Sequence, residues 1–231
     1  MNTLPPPINQ PSIHPHNLKR EVPISTSNEH ITSYESGIQN RSIIRYYIGL
    51  AVRWKQQWKY KYARYVARKK GAIIGEGVIM PISLARKANK NLVIGSHTSI
   101  ASDNFSSFRY PVKIGSHVII GNNVKFVMGS HKLDSPAWEH YRPNASLVID
   151  DYVWLCPDSV ILPSVSHVGY GSVLGANAVA VKNLKEMTIY GGNPAKEIGE
   201  RKCVHSDLVV ESLMGGDYKI YKDARKKKVL L

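Results

Sequence analysis

The chain has 231 residues, enough for one domain of ordinary size with appendages. Its 31 Lys and Arg against 17 Asp and Glu give a net charge of +14 and a pI of about 9.7, which admits nucleic acid, anionic lipid or an anionic small molecule as partner. Two cysteines, Cys156 and Cys203, are too few for a disulfide framework; no run of about 18 apolar residues occurs and the amino terminus lacks the apolar core of a signal peptide, so a cytoplasmic protein is expected.

Residues 1–40 are rich in Pro, Ser, Asn and His and keep no period, which predicts a flexible polar arm. Residues 41–70 hold ten Lys and Arg and no acidic residue, and so supply most of the excess charge. Within them Ile43, Ile44, Tyr47, Leu50, Ala51, Trp54, Trp58, Tyr62, Tyr65 and Val66 recur every three or four residues, which predicts a basic amphipathic helix. Such a helix either lies on an anionic membrane surface or packs its aromatic stripe on the domain or a neighbouring subunit.

From Ile74 onward an aliphatic residue, usually followed by Gly or another small residue, returns every six positions with a small or β-branched residue four places later. "IGEGVI" (74–79), "IGSHTS" (94–99), "IGSHVI" (114–119), "IGNNVK" (120–125), "IDDYVW" (149–154) and "LGANAV" (174–179) are copies. A helix cannot use a period of six, and hairpins have no reason to keep it over about a hundred residues. A coil with three flat faces can: about 18 residues complete a turn, successive turns pair as parallel strands, and first and fifth positions point inward. Residues 71–202 therefore form the expected coil domain, with breaks at 106–113 and 132–148 that must leave it as loops, and loops on a rigid scaffold commonly carry function. Residues 203–231 read as a basic, exposed tail.

The hexapeptide period, "GSVLGANAVAVKNL" at 171–184 and "YGGNPAKEIGER" at 190–201 together resemble the hexapeptide-repeat acyltransferases, most of all the O-acetyltransferases of sugars and bacterial surface polysaccharides. The resemblance implies an all-β solenoid, a left-handed parallel β-helix preceded here by the α-helical segment. It also implies acetyl-coenzyme A as co-substrate, no metal, and a homotrimer whose active sites lie between subunits. A single prism offers no deep pocket of its own, which favours an intersubunit cleft for a small-molecule or glycan acceptor.

Acetyl transfer to a hydroxyl needs a base for the alcohol, and a neutral imidazole suits that task near pH 7. The family's base is a histidine just after a pair of hexapeptides, where a long loop leaves the coil, and His131 matches that position. A partner on the other ring nitrogen would fix its tautomer; Asp134 is the candidate, a backbone carbonyl the equal alternative. The loop after it offers Trp138, His140, Tyr141 and Arg142 for a sugar, and Asp103 and Asn104 fall where related enzymes bind the acceptor hydroxyl. Trp154 matches a tryptophan near the thioester end of the groove. Next to it Cys156 replaces the usual Gly and reads as a small structural residue. Backbone of the Ala178 to Ala180 stretch and the cations Lys182, Lys196, Arg201 and Lys185 are expected to hold coenzyme A.

Rival readings are weaker. His97, His117 and His131 lack the spacing of a zinc site, and His97 and His117 occupy equivalent corners. A basic scaffold on membrane or nucleic acid rests on residues 41–70 alone, with nucleic acid disfavoured. The sequence points to an acetyl-coenzyme A-dependent O-acetyltransferase of a sugar or glycan, with N-acetylation of an amino sugar or nucleotide sugar as the alternative. Peripheral contact with the inner face of the membrane is part of that expectation.

Overall fold

The computed structural model describes residues 33–141, 143–205 and 208–226. The expected arm up to residue 32, Arg142 and the last residues of the basic tail lie outside them.

Six-residue steps suit short strands divided by corners, and the chain lays such strands into three sheets that it visits in rotation. The five-stranded sheet runs Ile73–Ile74, Leu92–Ile94, Val112–Ile114, Leu147–Ile149, His167–Val168. The six-stranded sheet runs Ser99–Ile100, Ile119–Ile120, Trp154–Leu155, Val173–Leu174, Thr188–Gly191, then Lys196–Glu200, which turns back antiparallel. Lys125–Phe126, Val160–Ile161 and Val179–Ala180 form the three-stranded sheet, and every pairing between successive turns of the coil is parallel.

Register turns the hexapeptide into ladders. Ile74, Ile94, Ile114, Ile149 and Val168 are partners in succession and all are buried; Ile100, Ile120, Leu155, Leu174 and Tyr190 form a second ladder, and Phe126, Ile161 and Ala180 a third. Burial of each large aliphatic stabilises by about 1.5–3 kcal/mol, so the ladders are the main source of cohesion. The fifth positions are small because they share that interior: Val78, Thr98, Val118, Val153 and Ser172 are all solvent-inaccessible. At one corner His97, His117 and Tyr152 adopt φ of 53°, 56° and 59°, and their rings stack at 5.3 Å and 4.9 Å. Gly121 is needed for close approach, since a Cβ there would lie 2.7 Å from the backbone nitrogen of Pro157 in the next turn.

Helices enlarge this β coil beyond the all-β expectation. α1 (Ser33–Gln39) occupies the end of the predicted arm, with Ile38 buried and Gln39 Nε2 donating to Ala224 O at 3.0 Å. α2 (Ile43–Lys69) is the basic helix of the sequence pattern. α3 (Ile82–Lys87) interrupts the first turn of the coil and buries Leu84 and Ala85. The stretch from 203, expected as an exposed tail, instead buries Val204 and Val210, makes a 3-10 turn at Val210–Met214 and ends in α4 (Tyr218–Lys226). The reason is an apolar face hidden among its lysines: Tyr221 stacks on Tyr46 of α2 at 5.3 Å, while Asp217 pairs with Arg53 at 2.9 Å. The turn is held by Glu211, which lies 2.5 Å from His97 Nδ1 at the corner stack.

Candidate active site

The two breaks in the repeat are brought together by register. Phe105 bridges Phe126, with their rings stacked at 4.0 Å, and Val112 pairs with Leu147. Both excursions thus leave the prism at one edge after paired residues and rejoin it at paired residues, one turn apart. Leu147 and Ile149 are buried in the five-stranded sheet, so the second excursion ends at 146 rather than the expected 148.

Inside that excursion Ser130–His131 pairs antiparallel with His140–Tyr141. His131 Nδ1 lies 2.5 Å from the carbonyl oxygen of Trp138, and His140 Nδ1 lies 3.0 Å from that of Ser130. A carbonyl only accepts, so each Nδ1 carries the hydrogen and each Nε2 is left as the basic nitrogen. The two imidazoles stack at 4.8 Å with planes 8° apart. Trp138 reaches its carbonyl position with φ of 49°, and its N–H donates to Ser135 O at 3.1 Å. Asp134 is exposed and makes no hydrogen bond to His131 among the described residues; of the two partners the sequence left open, the backbone carbonyl is the one that meets Nδ1.

Two clefts meet at this hairpin. One, of about 750 Å³, is lined by His131, Asp134 and Tyr141 on the excursion and by Leu162, Pro163 and Ser164 on the next corner of the coil. The other, of about 380 Å³, is lined by His140 and Tyr141 together with Ser106, Arg109 and Tyr110 from the first excursion. Ser106, Arg109, Tyr110 and the stacking role of His140 were not read from the sequence. The signal was the spacing of the two breaks, which places both excursions on one edge.

Below His131 the same edge continues as a column of corners. Val127 N donates to Ile161 O at 3.0 Å, Leu162 N to Ala180 O at 3.1 Å and Ser164 Oγ to Val181 O at 2.7 Å. Lys182 follows Val181 on this column and is exposed; Lys196 is exposed beyond the turn where Ala195 N donates to Val179 O at 2.8 Å. Lys185 is held by Glu197 at 2.7 Å.

Other expected residues are placed elsewhere. Ala178 and Ala180 point into the core and their carbonyls accept from Val160 and Leu162, so they serve the ladder. Arg201 Nη1 donates to Tyr152 O at 2.7 Å and Gly171 O at 3.2 Å, which binds the closing strand to the corner stack. Trp154 faces outward on the six-stranded sheet, in a separate cleft of about 460 Å³ with His117 and Arg201. Asp103 and Asn104 line neither His131's cleft nor its neighbour: Asp103 O accepts from Lys87 Nζ at 2.9 Å, and Asn104 O from Phe126 N at 2.9 Å. Burial pushes the Cys156 thiol up, consistent with a structural role. Among the described residues no three His, Cys, Asp or Glu converge as a metal site.

No family model matches the chain. A protein of Escherichia coli (strain K12) named as a colanic acid biosynthesis acetyltransferase, WcaF, is 30% identical over 149 residues, 64% of this chain and 80% of that protein. A chloramphenicol acetyltransferase of Escherichia coli is 31% identical over 107 residues, 38% of this chain and 50% of that one. Among solved structures, the hexapeptide-repeat containing acetyltransferase VCA0836 from Vibrio cholerae superposes with a TM-score of 0.52 at 24% identity, covering 75% of this chain and 96% of that one. The same protein complexed with acetyl-coenzyme A gives 0.51 at 25% identity, covering 75% and 94%.

Proposed function

The chain belongs to the hexapeptide-repeat acetyltransferases and is an acyltransferase, and on that premise we propose that it transfers the acetyl group of acetyl-coenzyme A to a hydroxyl of a sugar or surface polysaccharide. The observation that carries this reading is His131, whose Nδ1 is held by the Trp138 carbonyl while its ring lines the cleft of about 750 Å³. Nε2 takes the acceptor's O–H proton as that oxygen attacks the thioester carbon. The C–S bond then breaks, and the imidazolium returns its proton to the departing sulfur, so thiol and ester are the products. His140, stacked on His131, and Tyr141 border the acceptor side, while the exposed Trp138 ring lines neither cleft.

The column of corners from Pro163 to Lys182 suits the donor. It is a straight edge below His131, and the exposed ammonium of Lys182, with Lys196 beyond it, fits the phosphates of coenzyme A. His131's cleft is open on its outer side, and a second prism laid against this edge would close it; the assembly in this reading is a homotrimer with sites between subunits. The coil is taken as left-handed by its likeness to VCA0836, and the compartment as the cytoplasm, in keeping with the free thiols of Cys156 and Cys203.

The test is thiol release from acetyl-coenzyme A in the presence of candidate surface glycans, for the wild type and His131→Ala. Activity confined to the wild type, with a product labile to hydroxylamine, is expected. A fully active His131→Ala sinks the mechanism, and a hydroxylamine-stable amide product replaces O-transfer by N-transfer.

A further inference from the structure

α2 carries two faces of opposite use. Tyr46, Tyr60, Ala63 and Ala67 are buried against the coil and α4. On the other side Ile43, Tyr47, Trp54, Trp58, Tyr62 and Tyr65 fall at steps that keep one straight stripe along the helix. Each of the six is more than half exposed, from 53% at Trp58 to 61% at Tyr47. The stripe runs from Ile43 to Tyr65 of this 27-residue helix, about 33 Å at about 1.5 Å per residue. Lys55, Lys61 and Lys69 are exposed beside it, with Lys61 Nζ 4.9 Å from the Trp58 ring and Lys69 Nζ 5.7 Å from that of Tyr65.

We propose that this face of α2 docks on the surface of an anionic lipid bilayer, with the helix lying in the interface. Charge decides the occupant. Arg53, Arg64 and Arg68 turn inward to Asp217, Val78 O and Ile74 O, but Lys55, Lys61 and Lys69 border the stripe and residues 41–70 hold no acidic residue, so two copies of this face laid together would oppose like charges. Phosphate headgroups supply the missing charge along the whole length. The apolar side chains are the right kind for that depth: Trp and Tyr set a ring in the acyl boundary and a polar atom among headgroups, while the lysine stems reach outward. No described helix is long and apolar enough to cross a membrane, so the contact is lateral.

The test is flotation of the full chain with vesicles of phosphatidylcholine alone or mixed with phosphatidylglycerol. We expect flotation only with the anionic vesicles, a blue shift of tryptophan fluorescence on binding, and weakening in high salt. Trp54→Ser with Trp58→Ser should lower the vesicle partition coefficient by at least about tenfold. Their rings are exposed, so the far-ultraviolet circular dichroism and the lipid-free sedimentation coefficient should not move. Absence of flotation by the wild type, or undiminished flotation by the double variant, overturns the proposal. A change in lipid-free oligomeric state caused by the double variant overturns it in favour of a second copy of the chain on this face. Vesicle binding needs no acetyl transfer, so the result stands apart from the catalytic reading.

Discussion

Asp134→Ala separates two ways of holding the His131 imidazole. The Trp138 carbonyl lies 2.5 Å from Nδ1, and the exposed Asp134 takes no part in that bond. A general base contributes about 100- to 10,000-fold, or about 2.7–5.5 kcal/mol of barrier. His131→Ala should lose that amount in kcat. Asp134→Ala removes only a solvated carboxylate on the cleft wall, whose field on a nearby imidazolium is worth at most about 1 kcal/mol, so kcat should fall no more than about fivefold. The assay is thiol release at saturating acetyl-coenzyme A and acceptor, with kcat and KM for each variant and circular dichroism to verify folding. A hundredfold loss in Asp134→Ala with both KM values unchanged would show that the carboxylate orients the base and would refute the carbonyl assignment.

The same bond can be attacked through the backbone. Trp138 sits at φ of 49°, which proline forbids and glycine accepts, so Trp138→Pro should lower kcat by at least about tenfold while Trp138→Gly changes kcat less than about threefold. Equal kcat values for the two would remove the carbonyl from the mechanism. Arg201→Ala deletes the bonds to Tyr152 O and Gly171 O; urea unfolding should show about 1.5–3 kcal/mol of lost stability with KM for acetyl-coenzyme A unchanged, and a KM rise without destabilisation would return Arg201 to the donor site. Burial pushes the Asp217 carboxyl from its ordinary 3.8 up to about 6. The folded chain therefore holds that proton more tightly than the unfolded one. This contribution is fully present below 3.8 and is lost as pH rises through about 6, a fall of at most about 3 kcal/mol because Arg53 at 2.9 Å favours the carboxylate. Urea midpoints of the wild type against Asp217→Asn across that window should show the slope in the former alone, and a wild-type midpoint that climbs with pH contradicts it.

Much of the fold was legible because its cause is local. A six-residue period with an aliphatic first position specifies its own ladder: once Ile94 faces inward, Ile114 must stack on it, and the register follows without distant information. α2 was legible for the same reason, its stripe repeating from Ile43 to Val66. The C-terminal segment was not. Tyr221 and Ala224 show an apolar face only once Tyr46 of α2 is there to receive it, across a separation of 175 residues between Tyr46 and Tyr221. The bonds of Arg201 to Tyr152 O and Gly171 O were not legible either, because a cation in a closing segment looks alike whether it meets phosphate or two backbone carbonyls.

The sequence by itself determined the coil, the edge at which it breaks and the histidine at that break, since periodicity and its interruption are properties of neighbouring residues. Tertiary structure alone decided what that histidine touches. The hairpin register sets His131 against His140, the left-handed φ of Trp138 turns a carbonyl onto Nδ1, and pairing of Phe105 with Phe126 brings a second loop to the same edge. Backbone atoms are identical in every residue, so a site oriented by a carbonyl leaves no letter in the sequence, whereas one oriented by Asp134 would have.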